Sequence, residues 1–373
     1  MEVRAAVMTG PGLDWRTETL QLDPPRAGEV LVRVAYAGLC RSDEHRRHGL
    51  VGGGRFPLIG GHEGSGVVVE VGPGVTNVAP GDHIVFSVSP QCGRCEYCRG
   101  GQPRMCGLMA NVMVGEMLDG TFRARLGEEG IGGFCMVGSF ADHVVVTENT
   151  CIRIDESLPL DVAALLSCCV PTGWGSAVYT GGVQPGETVV VLGVGGVGLN
   201  AVQGAAFAGA SHVIAVDPVP AKRELAAKLG ATHTTDDLQT ATDLARTLSR
   251  GTGAQAVIVT VGVLDPEITA AALEMVGKQG RLVLTSASDV PDSVSVQLVG
   301  TRITFYDITI RGSLLGGCTS HADIPKFARL YQEGHLQLDE LISHRYSLDQ
   351  VAQGYQDLLD GTVIRGLVEH RHG

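Results

Sequence analysis

Four cysteines crowd into one short stretch, CGRCEYCRGGQPRMC, at Cys92, Cys95, Cys98 and Cys106. Disulfides, redox chemistry and metal binding are the three uses for so much sulfur. Redox CxxC pairs usually come singly at a helix start. An iron–sulfur cluster also takes four cysteines. The C-x2-C-x2-C-x7-C spacing favours a closed tetrahedral shell around one Zn²⁺. Arg94, Arg99 and Arg104 interleave the thiolates and partly offset their charge. All four ligands are local and none leaves an open coordination position. Such a zinc pins a loop and performs no chemistry.

A second set is scattered. Cys40-Arg41-Ser42-Asp43-Glu44-His45 and Gly61-His62-Glu63 lie early in the chain, and Cys168-Cys169 much later. Each alone is bland, since a buried cysteine packs as a small hydrophobe. Together, a Cys, His, Cys set with a vacant fourth position is the layout of a catalytic zinc. A third constellation, Gly193-Val-Gly195-Gly196-Val-Gly198, matches GxGxxG. A strand pattern, ETVVVLGV, precedes it and a helical run, GLNAVQGAAFAGA, follows. Asp217 ends the next strand, HVIAVD, 19 residues after Gly198. That is the context a dinucleotide fingerprint requires. The glycines let backbone N–H groups approach a pyrophosphate. A carboxylate at Asp217 accepts from ribose hydroxyls and repels a 2′-phosphate, so NAD is expected over NADP.

These residues need two kinds of scaffold. The first part, to about residue 170, reads as β-rich, with short runs such as EVLVRVAYAG and GSGVVVEVG between Gly, Pro and Asp turns. From about residue 186, strands alternate with helices, which argues a parallel doubly wound sheet. The tail, ADIPKFARLYQEG and LDQVAQGYQDLLDG, is helical and more polar. Segment 107–139 is Met- and Gly-rich with little periodicity and reads as a long loop. The closing EHRHG reads as a frayed polar end.

The 373 residues exceed one typical core, so two domains are expected. A net charge of −12 argues against nucleic acid and against an anionic membrane surface. The N-terminus, MEVRAAVMTGPGLDW, has no signal-peptide apolar region. No apolar run reaches about 18 residues, so no transmembrane helix is expected. A cytoplasmic protein follows, where clustered cysteines read as ligands before disulfides.

The chain resembles the zinc-dependent medium-chain alcohol dehydrogenases over nearly its whole length. The motifs are CRSDEH (40–45), GGHEGSGVVVEVG (60–72), the four-cysteine loop, LLSCCVPTGWGSAV (165–178), GVGGVG (193–198), VDPVPAK (216–222) and VIRG (363–366). Within that family it is most similar to actinobacterial nicotinoprotein, or N,N-dimethyl-4-nitrosoaniline-dependent, alcohol dehydrogenases. GGHEG, VPTGWGSAV, GVGGVGLNAVQGAA, VIAVDP and ADIP carry that likeness.

The resemblance implies an α/β protein. A GroES-like β-rich catalytic domain spans 1–170, a Rossmann doubly wound parallel-sheet domain spans 171–314, and 315–373 returns to the catalytic domain. It implies two zinc ions per chain and NAD(H). Cys40, His62 and Cys168 are the implied catalytic zinc ligands, with Glu63 behind the metal as an alternative ligand. Asp43 orients His62. Ser42 takes the alcohol proton and passes it, through the nicotinamide ribose, to His45 and water. Arg41 and Arg365 pair with the pyrophosphate and Lys222 with the adenosine ribose. Thr172 and Val197 press on the nicotinamide. One departure stands beside the third ligand: Cys169 occupies a position where the family usually has Gly.

The reaction so implied is reversible oxidation of an alcohol by NAD to an aldehyde or ketone, with primary alcohols expected. Three other readings stay open. In a nicotinoprotein cycle NAD(H) never leaves, and a second aldehyde or acceptor reoxidises it. A thiol-adduct formaldehyde dehydrogenase needs a basic patch that the sequence does not show. A non-catalytic NAD and zinc sensor has no use for the Ser42–His45 relay. A small-molecule substrate and a homo-oligomer, dimer or tetramer, are expected, pairing through the ITFYDITIRGSLLG region. His48, Val88, Phe140 and Leu315 are the candidates for pocket width. His83, His143, His212, His344, Cys135, Cys151, Cys318 and Trp174 read as packing or surface residues.

Overall fold

The structure, a computed structural model, describes residues 1–51, 54–286 and 298–372. Their contacts divide into two compact units, Met1–Cys168 with Thr319–Gly373, and Cys169–Cys318.

The first unit is built from mostly antiparallel strands whose alternating apolar residues need one buried face. Glu2–Met8, Arg16–Leu22, Ala124–Leu126, Glu129–Gly133 and Leu58–Ile59 close into a small barrel. Val3, Leu20, Leu22, Ala124 and Ile131 belong to the core it encloses. Beside it runs a second sheet centred on Glu29–Gly38, which pairs with Glu63–Val71, His143–Thr147 and Arg365–Glu369. Register here decides chemistry. Gly38 lies opposite Glu63. The chain leaving one strand therefore carries Cys40 past the chain entering the other, which carries His62.

Segment 107–139 is not one loop. It contains a 3-10 turn at Gly107–Asn111 and the barrel strands Ala124–Leu126 and Glu129–Gly133. These strands are too short, and EGIGG too poor in side chains, to show a period of two. The glycines serve close approach: a Cβ on Gly132 would meet the backbone of Val114 and Gly115 at 2.6 and 2.8 Å. The C-terminus is not frayed either. The His370 N–H bonds the carbonyl of Ala35 at 3.0 Å, prolonging the pairing of the last strand, and the His370 side chain is buried.

The second unit holds a six-stranded parallel sheet among the described residues. Numbered by their own order along the chain, its strands run 3-2-1-4-5-6: His233–Thr235, His212–Val216, Thr188–Leu192, Ala254–Val259, Val276–Leu284 and Thr309–Gly312. This is the doubly wound Rossmann arrangement. TVVVL is buried at every position, as a central parallel strand covered on both faces must be. Asp237 caps the helix Leu238–Leu248 by accepting from the Thr240 N–H at 2.6 Å. Asp265 caps Pro266–Met275, with Pro266 in the first turn where its missing N–H costs nothing.

Candidate active site

Cys40, His62, Glu63 and Cys168 bring one ligand atom each within 4.8 Å of one another. All four lie in the first unit. Strand register delivers Cys40 and His62. Cys168 is held by its neighbour: Ser167 Oγ accepts from the Gly64 N–H and donates to the Gly64 carbonyl, both at 2.9 Å. His62 Nδ1 lies 2.9 Å from Asp43 Oδ2, while Asp43 Oδ1 accepts the Gly61 N–H at 2.7 Å. Asp43 therefore fixes the ring and leaves Nε2 as the nitrogen for a ligand. The Nδ1 contact is an ion-pair distance without the alignment of a hydrogen bond.

Charge in this cluster is shared unevenly. The hydrogen bond from Cys168 holds the Cys40 thiol well below its usual value against burial, and the same bond pushes Cys168 well above. Burial opposes a charge on His62, but Asp43 and Cys40 outweigh it and raise its pKa. Burial pushes the Glu63 carboxyl up to about 7, with Arg365 opposing. Arg365 donates to Glu63 Oε2, and the pair is buried. Two sulfurs and one imidazole nitrogen form a donor set that suits zinc and leave a fourth position, for which the Glu63 carboxylate and an exogenous oxygen compete.

Cys92, Cys95, Cys98 and Cys106 form the other such cluster among the described residues. Sγ of Cys92 and Cys98 are 4.0 Å apart, and Sγ of Cys95 and Cys106 3.9 Å. A tetrahedron with Zn–S near 2.3 Å has edges of about 3.8 Å. Backbone N–H groups of Cys92, Cys95 and Cys98 point at the sulfurs of Cys106, Cys92 and Cys95. The ten cysteines are unbridged. The site fits a closed structural zinc.

In the second unit, Gly193 has φ +84°, which a β-carbon would strain. A Cβ on Gly198 would strike the Gly193 carbonyl, so only glycine lets the helix Gly196–Phe207 start this close to the strand. A Cβ on Gly195 would meet nothing within 4 Å. That empty space beside the helix start is where a pyrophosphate fits. Asp217 is buried at the end of its strand, with Oδ2 accepting from Val194 N–H and Oδ1 from Val219 N–H, each at 2.9 Å. A carboxylate keeps capacity for further donors. Lys222 stands half-buried in the helix Pro220–Lys228. Val197 is half-buried in the first turn after the glycines, and Thr172 is half-buried in Cys169–Gly175.

Ser42 and His45 share the helix Arg41–Arg47, with Ser42 Oγ 3.7 Å from Cys40 Sγ, and Arg41 is exposed. Among the width candidates, Phe140 is 0% exposed and packs on Trp15 and Tyr355, so it is core. His48 is exposed and pairs with Glu44 at 3.3 Å. Val88 and Leu315 are buried. Cys169, Cys135, Cys151, Cys318 and Trp174 are buried packing residues. Three contacts escape sequence reasoning: Ser167 on Gly64, Arg365 on Glu63, and Phe134 edge-on to the His62 ring at 5.4 Å. No motif announces these contacts, because each joins segments distant in the chain.

The chain matches known proteins over nearly its whole length. The family model for an alcohol dehydrogenase GroES-like domain matches residues 26–156, and that for a zinc-binding dehydrogenase matches residues 196–333. The NDMA-dependent alcohol dehydrogenase of Amycolatopsis methanolica is 46% identical over 371 residues, covering 99% of each chain. A zinc-binding-domain alcohol dehydrogenase structure from Burkholderia ambifaria superposes with a TM-score of 0.92 at 30% identity, covering 100% of both chains. The benzyl alcohol dehydrogenase structure from Acinetobacter calcoaceticus gives 0.90 at 28% identity, again over 100% of both.

Proposed function

The chain belongs to the zinc-dependent medium-chain alcohol dehydrogenases, and from that premise we propose the reaction and the role of each residue. A primary alcohol gives up a hydride to NAD⁺ and a proton to solvent, yielding an aldehyde and NADH. The observation that carries this is the Cys40, His62, Cys168 cluster backed by Glu63, in the same unit as Ser42 and His45.

Zinc bound there supplies Lewis acidity toward an oxygen substrate. The chain's own residues do the rest. Cys40 and Cys168 bring negative charge to match the cation, and Asp43 orients His62. Arg365 pairs with Glu63 and favours its carboxylate against burial. Ser42 accepts the alcohol proton and relays it toward His45. Gly193, Gly195, Gly196 and Gly198 admit the pyrophosphate, with Arg41 and Arg365 as its cations. Asp217 accepts from both adenosine ribose hydroxyls, which favours NAD, and Lys222 flanks that ribose. Thr172 and Val197 bear on the nicotinamide ring. A second zinc at Cys92, Cys95, Cys98 and Cys106 pins its loop.

A second reading of the redox cycle has its own support. The Amycolatopsis relative named for NDMA matches end to end. In that cycle NAD(H) stays bound, and a second aldehyde or a nitrosoaniline takes the hydride back. An absorbance spectrum with metal analysis, after exhaustive gel filtration and with no coenzyme added, tests both. A reduced-nicotinamide band that bleaches with aldehyde or nitrosoaniline marks retained coenzyme. A bare protein band, with activity only on added NAD, marks the exchanging enzyme. One zinc per chain removes the catalytic-metal assignment from either cycle.

Two further assignments complete the reading. The exposed edge strand Thr309–Gly312 suits pairing with a second copy, giving a homo-oligomer. Ten unbridged cysteines suit a reducing cytoplasm, and no described helix is long and apolar enough to cross a membrane.

A further inference from the structure

Arg46 is a buried cation without a carboxylate. It is 3% exposed. The basic residues around it are accounted for: Arg47 makes two bonds to Glu44 at 2.8 and 2.7 Å, and Arg55 pairs with Glu129 at 3.3 Å. Among the described residues no acid pairs with Arg46. Its Nη2 donates to the Arg55 carbonyl at 3.2 Å, its guanidinium carbon lies 4.3 Å from the Phe56 ring centroid, and its Nε is buried with no partner. Burial alone acts on it, pulling its pKa down. A guanidinium taken out of water keeps a strong demand for an anion.

Its place in the fold says which anion. Ser42 and Arg46 are four apart on the helix Arg41–Arg47, so they share one face. A wall runs from the metal cluster to the same spot. Phe134 stands edge-on to His62. The N–H of the next residue, Cys135, bonds the Val112 carbonyl at 3.0 Å. The carbonyl of the following residue, Met113, and Arg46 Nη2 both crowd the position a Cβ on Gly54 would take. Successive contacts through Phe134, Cys135, Val112 and Met113 thus link the metal cluster to Arg46.

We propose that Arg46 anchors a carboxylate at the far end of the substrate, so that the enzyme selects alcohols and aldehydes carrying a terminal acid group. This rests on the alcohol dehydrogenase reading and adds the substrate class. Guanidinium matches a carboxylate with paired N–H donors, and the Phe56 face holds it in plane. The chain's negative net charge does not oppose this, because the anchor is local and shielded.

The test compares ω-hydroxyhexanoate with 1-hexanol, which differ at the remote end alone. Wild-type enzyme is expected to prefer the hydroxy acid in kcat/KM. That preference should shrink about ten- to hundredfold in Arg46→Met and be partly kept in Arg46→Lys. Adipate, which cannot react, is titrated by calorimetry into wild type and Arg46→Met, and its binding should be lost in the variant. No preference in wild type, or a fall of both substrates by one factor, overturns the proposal and makes Arg46 a clamp for the Met113 segment. Equal adipate binding to both proteins overturns it too. If neither alcohol is turned over with any acceptor, the alcohol dehydrogenase reading fails instead, and the adipate titration decides Arg46 on its own. Thermal unfolding of each variant identifies a folding defect, in which case the wild-type preference and Arg46→Lys carry the decision.

Discussion

Cys168 and Cys169 are neighbours with the same side chain, yet their surroundings differ. Cys168 brings its sulfur to Cys40 and His62, whereas Cys169 is fully buried at the start of the helix Cys169–Gly175. Cys168→Ser should therefore lose one zinc per chain and lower kcat at least about a thousandfold, since a Lewis acid supplies several kcal/mol. Cys169→Ala should keep its full zinc complement and lose the contacts of one buried sulfur. Metal analysis of the two purified variants checks this, and equal zinc loss would reassign the third ligand. The ligands were legible in the sequence because cysteine and histidine declare their chemistry. Their positioning was not. Ser167, Arg365 and Phe134 are ordinary residue types, and their roles exist only in contacts with Gly64, Glu63 and His62. The unpaired state of Arg46 was equally hidden, because a sequence shows three arginines and two glutamates without showing which of them meet.

At the scale of elements, the Gly-rich turn separates two uses of glycine that GxGxxG runs together. Gly198 exists for the fold, since a Cβ there strikes the Gly193 carbonyl and comes within 2.7 Å of Thr260 Oγ1. Gly195 faces open space at φ −73°, which any residue adopts. Gly198→Ala should thus lose about 1–3 kcal/mol of stability as well as coenzyme affinity. Gly195→Ala should lose at most about 1 kcal/mol while its NAD(H) dissociation constant rises at least about tenfold. Chemical unfolding and coenzyme titration of both variants separate the two. If Gly195→Ala binds coenzyme like wild type, the pyrophosphate does not lie in that space. Legibility of the elements followed periodicity. The central parallel strands are continuous apolar runs set between helices, so their alternation was plain in the sequence. The barrel strands Ala124–Leu126 and Glu129–Gly133 were not, because three- and five-residue strands with glycines carry no period, and closure of the barrel selects them.

Across the whole molecule, titration links the buried C-terminus to stability. His370 is held down to about 4 by burial, against the pull of its hydrogen bond with the Ser139 carbonyl. An unfolded histidine titrates near 6.5. Between those values the unfolded chain binds the extra proton, so stability rises with pH. The contribution is full above about 6.5 and is lost as pH falls to about 4, amounting to about 3 kcal/mol. The lowered carboxyls Asp142 and Asp349 act below this window, since their unfolded values are near 3.9. Acid also protonates metal-binding thiolates and releases metal, which weakens any zinc protein. Comparing His370→Gln with its parent cancels that shared loss, and the glutamine amide can still donate to Ser139. Trp15 lies in the unit with His370, stacked on Tyr355 at 5.3 Å, while Trp174 lies in the other. In a Trp174→Phe background, Trp15 fluorescence reports unfolding of that unit alone. Wild-type His370 should show a steeper fall in unfolding free energy between about pH 6.5 and 4.5 than His370→Gln, by about 2–3 kcal/mol. Parallel curves would mean that His370 reaches solvent in the folded state and that the chain end opens without unfolding the sheet.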